Sequence, residues 1–423
     1  MYIQDKLSNG MRIVSKEMPE MRSVSVGVWI NTGSAFETKA LNGVSHFIEH
    51  MLFKGTENRT AKDLADEIDG IGGQINAFTS KECTCYYVKV LDTHLDLGID
   101  VLSDMIKNSK FDEKEIIKEK KIVFDEIALY EDSPEDVAYD LLAEALFSDN
   151  GLGQPILGTE ESLGALSKAQ IQAYLKREYR PSNMVISVAG SYKREELLNL
   201  LENHFGTIEK TELHEPLAYE TGFRSNVKYR FKDIEQHHLC IGLPGVAYNE
   251  ADIYPIMVLN NLLGGGTSSR LFQNVREEKG LAYSIFSHPS QYKEIGLMTI
   301  YASFVPDHLD AVTNAIEFEI NQLLQGDISL EELERSKEQL KGNYILGLES
   351  TGSIMTMLGK SQLLTNRIET LDEVINAIDA VEISDLKRMI HHVFGESKVS
   401  VALVGRVNES DAKKVFKQFK SIS

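Results

Sequence analysis

Residues 93 to 102 read THLDLGIDVL, and at 307 to 316 the chain returns to the same theme with DHLDAVTNAI. The spacing of 214 positions is close to half of the 423 residues, and other matches keep it. At a shift of 214 or 215, SVSVGVWI (23 to 30) falls on HLCIGLPG (238 to 245), with Gly27 on Gly242. ISVAG (186 to 190) falls on VALVG (401 to 405), and HFGTI, ending at Ile208, falls on QFKSI, ending at Ile422. Each match alone is weak, but a shared offset is the mark of an internal duplication.

Within each half, period-two alternation (VSVGVWI, CYYVKV, LMTIYASF) mixes with helical runs such as KREELLNLLENHF and DHLDAVTNAIEFEINQLL. The expected fold class is therefore α+β: two homologous domains, each a largely antiparallel sheet with helices covering one face. Both periodicities lapse in the polar, proline-containing TELHEPLAYETGF (211 to 223). The expected division is 1–212, a linker at 213–225, and 226–423.

An apolar fraction of 42% with 26% charged residues suits a globular chain of two or three cores. The longest apolar runs are strand-length, too short to span a bilayer, and the first residues lack the pattern of a secretory signal, so the expected location is cytoplasmic. A net charge of −20 disfavours nucleic acid and anionic membrane surfaces as partners; it would attract cationic ligands, or serve solubility alone. Cys83, Cys85 and Cys240 are too few for a disulfide framework. Cys83 and Cys85, in the strand-like KECTCYYVKV, are expected on one face, and no second cysteine pair supports zinc there.

The stretch HFIEHMLFKGT (46 to 56) packs two histidines and a glutamate into five residues of an otherwise apolar helix. Val44, Phe47, Ile48, Met51 and Leu52 form one stripe for burial against a sheet, and His46, Glu49 and His50 fall on the opposite side. Histidines at i and i+4 lie one turn apart on one face, close enough to share a zinc ion, and Glu49 could take a proton from water there. The spacing is that of the H-x-x-E-H zinc peptidase motif. A solvated polar face would read the same way.

A hydrolytic zinc site needs a third protein ligand. In FDEKEIIKEKKIVFDEIALYED (111 to 132), the stripe Ile116, Val123, Ile127, Tyr130 is expected to be buried, and Glu119 and Glu126, two turns apart, lie along its edge. Exposed, salt-bridging acids would fit as well. The duplication offers a control. At the 214 shift HFIEH lands on NNLLG (260 to 264), Glu119 on Leu333 and Glu126 on Leu340, so the second copy lacks all the polar candidates together.

HFIEHMLFKGT, GGQINAFTSKECTCYY (72 to 87), Glu119, Glu126 and GGGTSSRLFQNVREEKGLAYS (264 to 284) together resemble the pitrilysin family of zinc peptidases along the whole chain, in particular its short processing-peptidase-like members. The resemblance implies that His46, His50 and Glu126 hold one Zn2+ per chain, that Glu49 is the general base, and that Glu119 supports the site. It implies oxyanion donors in Arg276 and Tyr283, although each alone reads as a surface charge and a strand residue. It also implies a substrate-pairing strand edge at Asn76, Ala77 and Phe78. Asp136 and Asp140, at i and i+4 in YEDSPEDVAYD (130 to 140), would accept a substrate arginine; an acidic helix start would look alike.

The expected function is thus a zinc endopeptidase acting on short or unfolded polypeptides, basic ones included, bound as an added strand. Association into a dimer is implied by the resemblance, because a chain of this size is half of the chamber of the long members; the partner is either a second copy or an inactive paralogue, and the presence of the zinc motif together with Arg276 and Tyr283 favours a homodimer. A non-catalytic scaffold or binding subunit is the rival reading, though such a subunit would be expected to lose a ligand or the base. GGG at 264 to 266 lacks the residues of a phosphate loop and reads better as a hinge before a helix capped by Thr267 or Ser268.

Overall fold

The computed structural model describes residues 2–147, 151–210, 219 and 221–422. The first half runs β1 (Ile3–Lys6), β2 (Arg12–Glu17), β3 (Ser23–Ile30), α1 (Val44–Leu52), α2 (Ala61–Asp69), β4 (Gln74–Thr79), β5 (Thr84–Leu91), α3 (Leu95–Asn108), α4 (Glu113–Asp132), α5 (Pro134–Phe147), α6 (Glu160–Ala165), α7 (Lys168–Glu178), β6 (Met184–Gly190) and α8 (Arg194–Phe205). The second runs β7 (Val227–Phe231), β8 (His237–Pro244), α9 (Ile253–Leu263), a π-helical segment (Phe272–Glu278), β9 (Ser284–Gln291), β10 (Gly296–Phe304), α10 (Leu309–Leu324), α11 (Leu330–Gly347), α12 (Thr351–Leu364), α13 (Leu371–Asp379), α14 (Ile383–Phe394), β11 (Ser400–Gly405) and α15 (Glu409–Lys420). THLDLGIDVL and DHLDAVTNAI each form a short 3-10 turn leading into a helix, α3 and α10, so the duplication seen in the sequence is one of structure.

The first sheet has the order β1-β2-β6-β3-β5-β4 and the second β7-β11-β8-β10-β9. Both are antiparallel apart from one parallel pair each, β2 with β6 and β7 with β11. The α+β, two-domain reading holds. The run INAFTSKECTCYYV is two strands, β4 and β5, joined by a turn at 80–83, so Cys83 sits at the turn and Cys85 in the strand opposite Phe78.

The compact units do not follow a single cut. Residues 1–128, 154–219 and 347–370 make one unit; 129–153, 220–346 and 371–423 make the other. The expected bounds 1–212 and 226–423 miss this because α5 packs on β7, β8 and β11, whereas α12 packs on β2, β3 and β6. Much of 213–225 lies outside the described residues. Helices therefore cover both faces of the first sheet, with α1 and α3 on one and α12 on the other, rather than one face only.

Gly27 and Gly242, matched by the repeat, do one job in both units. A Cβ on Gly27 would meet Met355 Sδ of α12 at 2.3 Å, and one on Gly242 would meet Leu146 and Leu142 of α5 at 2.9 and 3.0 Å. Each glycine lets its covering helix approach the central strand. Gly359 does the converse from α12, since its Cβ would fall 1.9 Å from Trp29 Nε1, which donates to Ser187 Oγ at 2.8 Å.

Candidate metal centre

Val44, Phe47, Ile48, Met51 and Leu52 are buried as their periodicity predicts, but α1 has no solvated side: His46 is only 7% exposed, and Glu49 and His50 are half-buried. The helix starts at Gly43, whose φ of +90° needs a glycine and whose Cβ would meet Leu157 O at 2.6 Å. Its first amides are received by Glu37, a buried carboxylate that the sequence reading missed. Gly43 N donates to Glu37 Oε2 at 2.7 Å and Ser45 N to Oε1 at 2.8 Å. The negative charge suits a helix N-terminus, although burial holds this carboxyl above the usual range.

On α4, Glu119 is buried and Glu126 half-buried, both turned to α1. Tyr130 is exposed, contrary to the expected stripe, because the end of α4 leaves the first core. His46 Nε2 and His50 Nε2 lie 3.7 and 3.4 Å from Glu126 Oε2. One ligand atom from each of His46, His50 and Glu126 can be chosen with all three within 4.8 Å of one another. The Nδ1 atom of His50 faces Glu119 Oε1 at 2.9 Å, and Lys54 Nζ holds Glu119 Oε2 at 2.8 Å. Lys54 stands one turn beyond His50 in the motif stretch, where its spacing was readable but its partner was not.

The two carboxylates of α4 draw positive charge to these groups, here the proton on His50, which a bound metal ion would displace. Burial, with His50 adding to it, lowers His46 to about 4 and leaves it neutral, its lone pair open. Burial works to lower His50 too, but Glu119 and Glu126 outweigh it and lift that imidazole to about 9. Burial raises Glu119, yet His50 and Lys54 bring it below the ordinary range; His50 holds Glu126 down likewise. Two buried atoms, His46 Nδ1 and Glu126 Oε2, make no hydrogen bond. A pair of imidazoles and a carboxylate with such atoms suits zinc, with Glu119 steering His50 through its other nitrogen.

Glu49 stands beside this cluster and accepts a hydrogen bond from Thr79 Oγ1 at the end of β4, a contact not legible in the sequence. Burial raises its carboxyl; Thr79 and His50 pull the other way. Asn76, Ala77 and Phe78 lie on the same strand, which among the described residues pairs only with β5 and so presents an edge.

The other expected residues belong to the second unit. Arg276 is on the π-helical segment with its guanidinium over Phe272 at 4.7 Å, and Tyr283 is 73% exposed just before β9. The helix after GGG begins at Arg270, with Ser269 rather than Thr267 or Ser268 at its start: Ser269 O receives Gln273 N. Asp136 and Asp140 share α5 as expected, half-buried and exposed respectively.

Comparison with known proteins bears on this geometry. Residues 12–160 match the family described as Insulinase (Peptidase family M16), and residues 165–340 match Peptidase M16 inactive domain. An uncharacterized zinc protease of Bacillus subtilis (strain 168) is 46% identical over 92% of this chain and 94% of its own. One from Streptomyces coelicolor is 37% identical over 97% and 90%. Among solved structures, a protease from Helicobacter pylori superposes with a TM-score of 0.90 at 22% identity, covering 96% and 99% of the two chains. A chain of complex III2 from Candida albicans, with Inz-5 bound, gives 0.87 at 19%, covering 99% of each. The chain belongs to the peptidase M16 family.

Proposed function

We propose that this M16 family member is a zinc endopeptidase in which His46, His50 and Glu126 hold one Zn2+ and Glu49 is the general base. The observation that carries the reading is the convergence of three potential ligand atoms within 4.8 Å beside a carboxylate tied to an edge strand. When bound, zinc supplies Lewis acidity at the scissile carbonyl and lowers the pKa of water toward about 7. Glu49 receives the proton of the attacking water and returns it to the leaving amine. Thr79 fixes the Glu49 carboxylate, and Lys54 and Glu119 fix the His50 ring. A polypeptide segment adds as a strand along Asn76, Ala77 and Phe78, where main-chain pairing is indifferent to most side chains and suits unfolded substrates.

Arg276 and Tyr283 are proposed as oxyanion donors on the support of their motif and their accessible side chains. Asp136 and Asp140 are proposed as acceptors of a substrate arginine on the support of their i, i+4 placement. A cytoplasmic homodimer completes the reading; the scaffold alternative is disfavoured by the intact set of ligands and base. The test measures zinc content and hydrolysis of unstructured peptides. Glu49→Gln should keep about one zinc per chain and lose about 10²- to 10⁴-fold in turnover. A metal-free Gln variant, or one that turns over normally, would remove Glu49 from the role of base.

A further inference from the structure

The strand beside Glu49 has a second face. Along β4, Thr79 reaches Glu49, and Ile75 and Ala77 pack with it toward the core under α1. Phe78 points the other way. Its ring meets Trp29 edge-on at 5.6 Å and lies 6.4 Å from Tyr87 of β5. Trp29 is the residue that α12 covers through Gly359, so this is the α12 face of the sheet. An open groove of about 490 Å³ runs there, lined by Phe78, Tyr87, Gly352, Met355, Thr356 and Met357 among others. Among the described residues no carboxylate lines it, and its one charged group is the Lys360 ammonium.

We propose that this groove is the subsite for a large apolar side chain of the peptide, the one that faces away from Glu49. The inference rests on strand addition as read above and extends it to a side-chain preference. In an added strand successive side chains point to opposite faces, so a peptide with its cleaved bond at Glu49 must send alternate residues to the α12 side. Thr79, which holds Glu49, and Phe78, which forms the groove wall, are consecutive. The favoured position therefore lies within two residues of the cleaved bond, on alternating positions only. The lining selects for apolar bulk, and flexible methionines adapt to unbranched or aromatic groups alike.

The test uses the full-length, zinc-loaded Glu49→Gln protein, which binds peptide without consuming it, and a fluorescent peptide series carrying Gly, Asp, Arg, Met or Phe at one position at a time. Phe or Met should improve Kd about tenfold or more over Gly at one position or at alternating ones, and nowhere else. Gly352→Leu with Thr356→Phe fills the groove. A Cβ on Gly352 has only Ser350 Oγ and Ser25 Oγ near it, at 3.9 and 4.0 Å, so the leucine enters open space. In that variant the Phe-to-Gly ratio should fall below about threefold, as expected when a pocket that reads apolar bulk is filled. Should it fold poorly by thermal melting, Gly352→Leu alone is read in the same way. No peptide binding, a flat profile, or a preference that survives filling overturns the subsite. Hydrolysis with Glu49 intact is scored separately: positional binding without hydrolysis keeps the subsite and removes the endopeptidase reading, and hydrolysis with a flat binding profile does the reverse.

Discussion

Leaving β1 aside, the first sheet runs β2-β6-β3-β5-β4 and the second β7-β11-β8-β10-β9, so every strand of one unit has a counterpart in the other. The interiors differ where α1 and α4 meet. At the 214-residue shift Glu49, Glu119 and Glu126 become Leu263, Leu333 and Leu340, all within the apolar core of the second unit. His46 becomes Asn260, whose Oδ1 accepts from Ser287 Oγ of β9 at 2.8 Å. The second unit thus shows what these positions hold when only packing matters. The first departs from that pattern and leaves His46 Nδ1 and Glu126 Oε2 without hydrogen bonds, a cost that packing alone does not explain.

The sharpest way to break the comparison is to write the second unit into the first. His46→Asn/Glu49→Leu/Glu119→Leu/Glu126→Leu, combined with His50→Leu and Lys54→Met so that neither cation is left without its carboxylate, should abolish zinc binding and hydrolysis together. In the metal-free state it should be more stable than the metal-free wild type by roughly 1–4 kcal/mol, as when buried charges give way to packed apolar groups. Metal analysis and denaturant unfolding in chelator check both; a less stable apo variant would mean the cluster supports the fold. Next in size, Tyr283→Phe removes one proposed donor from the unit without ligands and should lower kcat by roughly ten- to a thousandfold at unchanged zinc content. Equal kcat would confine the chemistry to the first unit.

Glu119→Gln tests the support behind His50. Zinc affinity should fall by about 10- to 100-fold in competition with a chelator, through loss of ring orientation rather than of a ligand. The smallest effect concerns a polar network peculiar to the first unit. Arg59 binds Asp104 at 3.0 Å and Asp100 at 2.6 Å, and Thr56 and Asn58 add hydrogen bonds to Asp104. The residue matching Asp104 is Phe318, which is 53% exposed. Burial tends to raise the Asp104 carboxyl, but its hydrogen bonds from Thr56, Asn108, Asn58 and Arg59 outweigh that and hold it below the ordinary range. A depressed carboxyl stabilises the fold above its unfolded pKa of about 3.9 and ceases to as pH falls through the lower folded value. Asp104→Asn should therefore cost about 1–3 kcal/mol at pH 7, with the gap to wild type closing toward pH 3. Urea midpoints across that range decide; a gap independent of pH would show that the charge contributes nothing.

Several of these contrasts were legible before any coordinates. The repeat offset named Gly27 and Gly242 and set Glu119 and Glu126 against leucines. Helical spacing turned Val44, Phe47, Ile48, Met51 and Leu52 inward, and the histidines together. Tyr130 was misread because its period continues through α4 after the core beneath it has ended. One division between the units, at 219/220, falls inside the expected linker 213–225, but the crossing of α5 and α12 was missed because they look like any amphipathic helix, and nothing local says which sheet each covers.

The chain by itself determined the elements, their duplication, and the ligand types with their spacing, because these follow from helical and strand periods that act over a few residues. Tertiary structure alone decided that Glu37 caps α1, that Thr79 reaches Glu49, that Lys54 and Glu119 stand behind His50, and that Phe78 opens onto α12. Those contacts join segments 6 to 282 residues apart in the chain, from Glu37–Gly43 to Phe78–Lys360. Their geometry depends on how whole elements pack, and no local period encodes it.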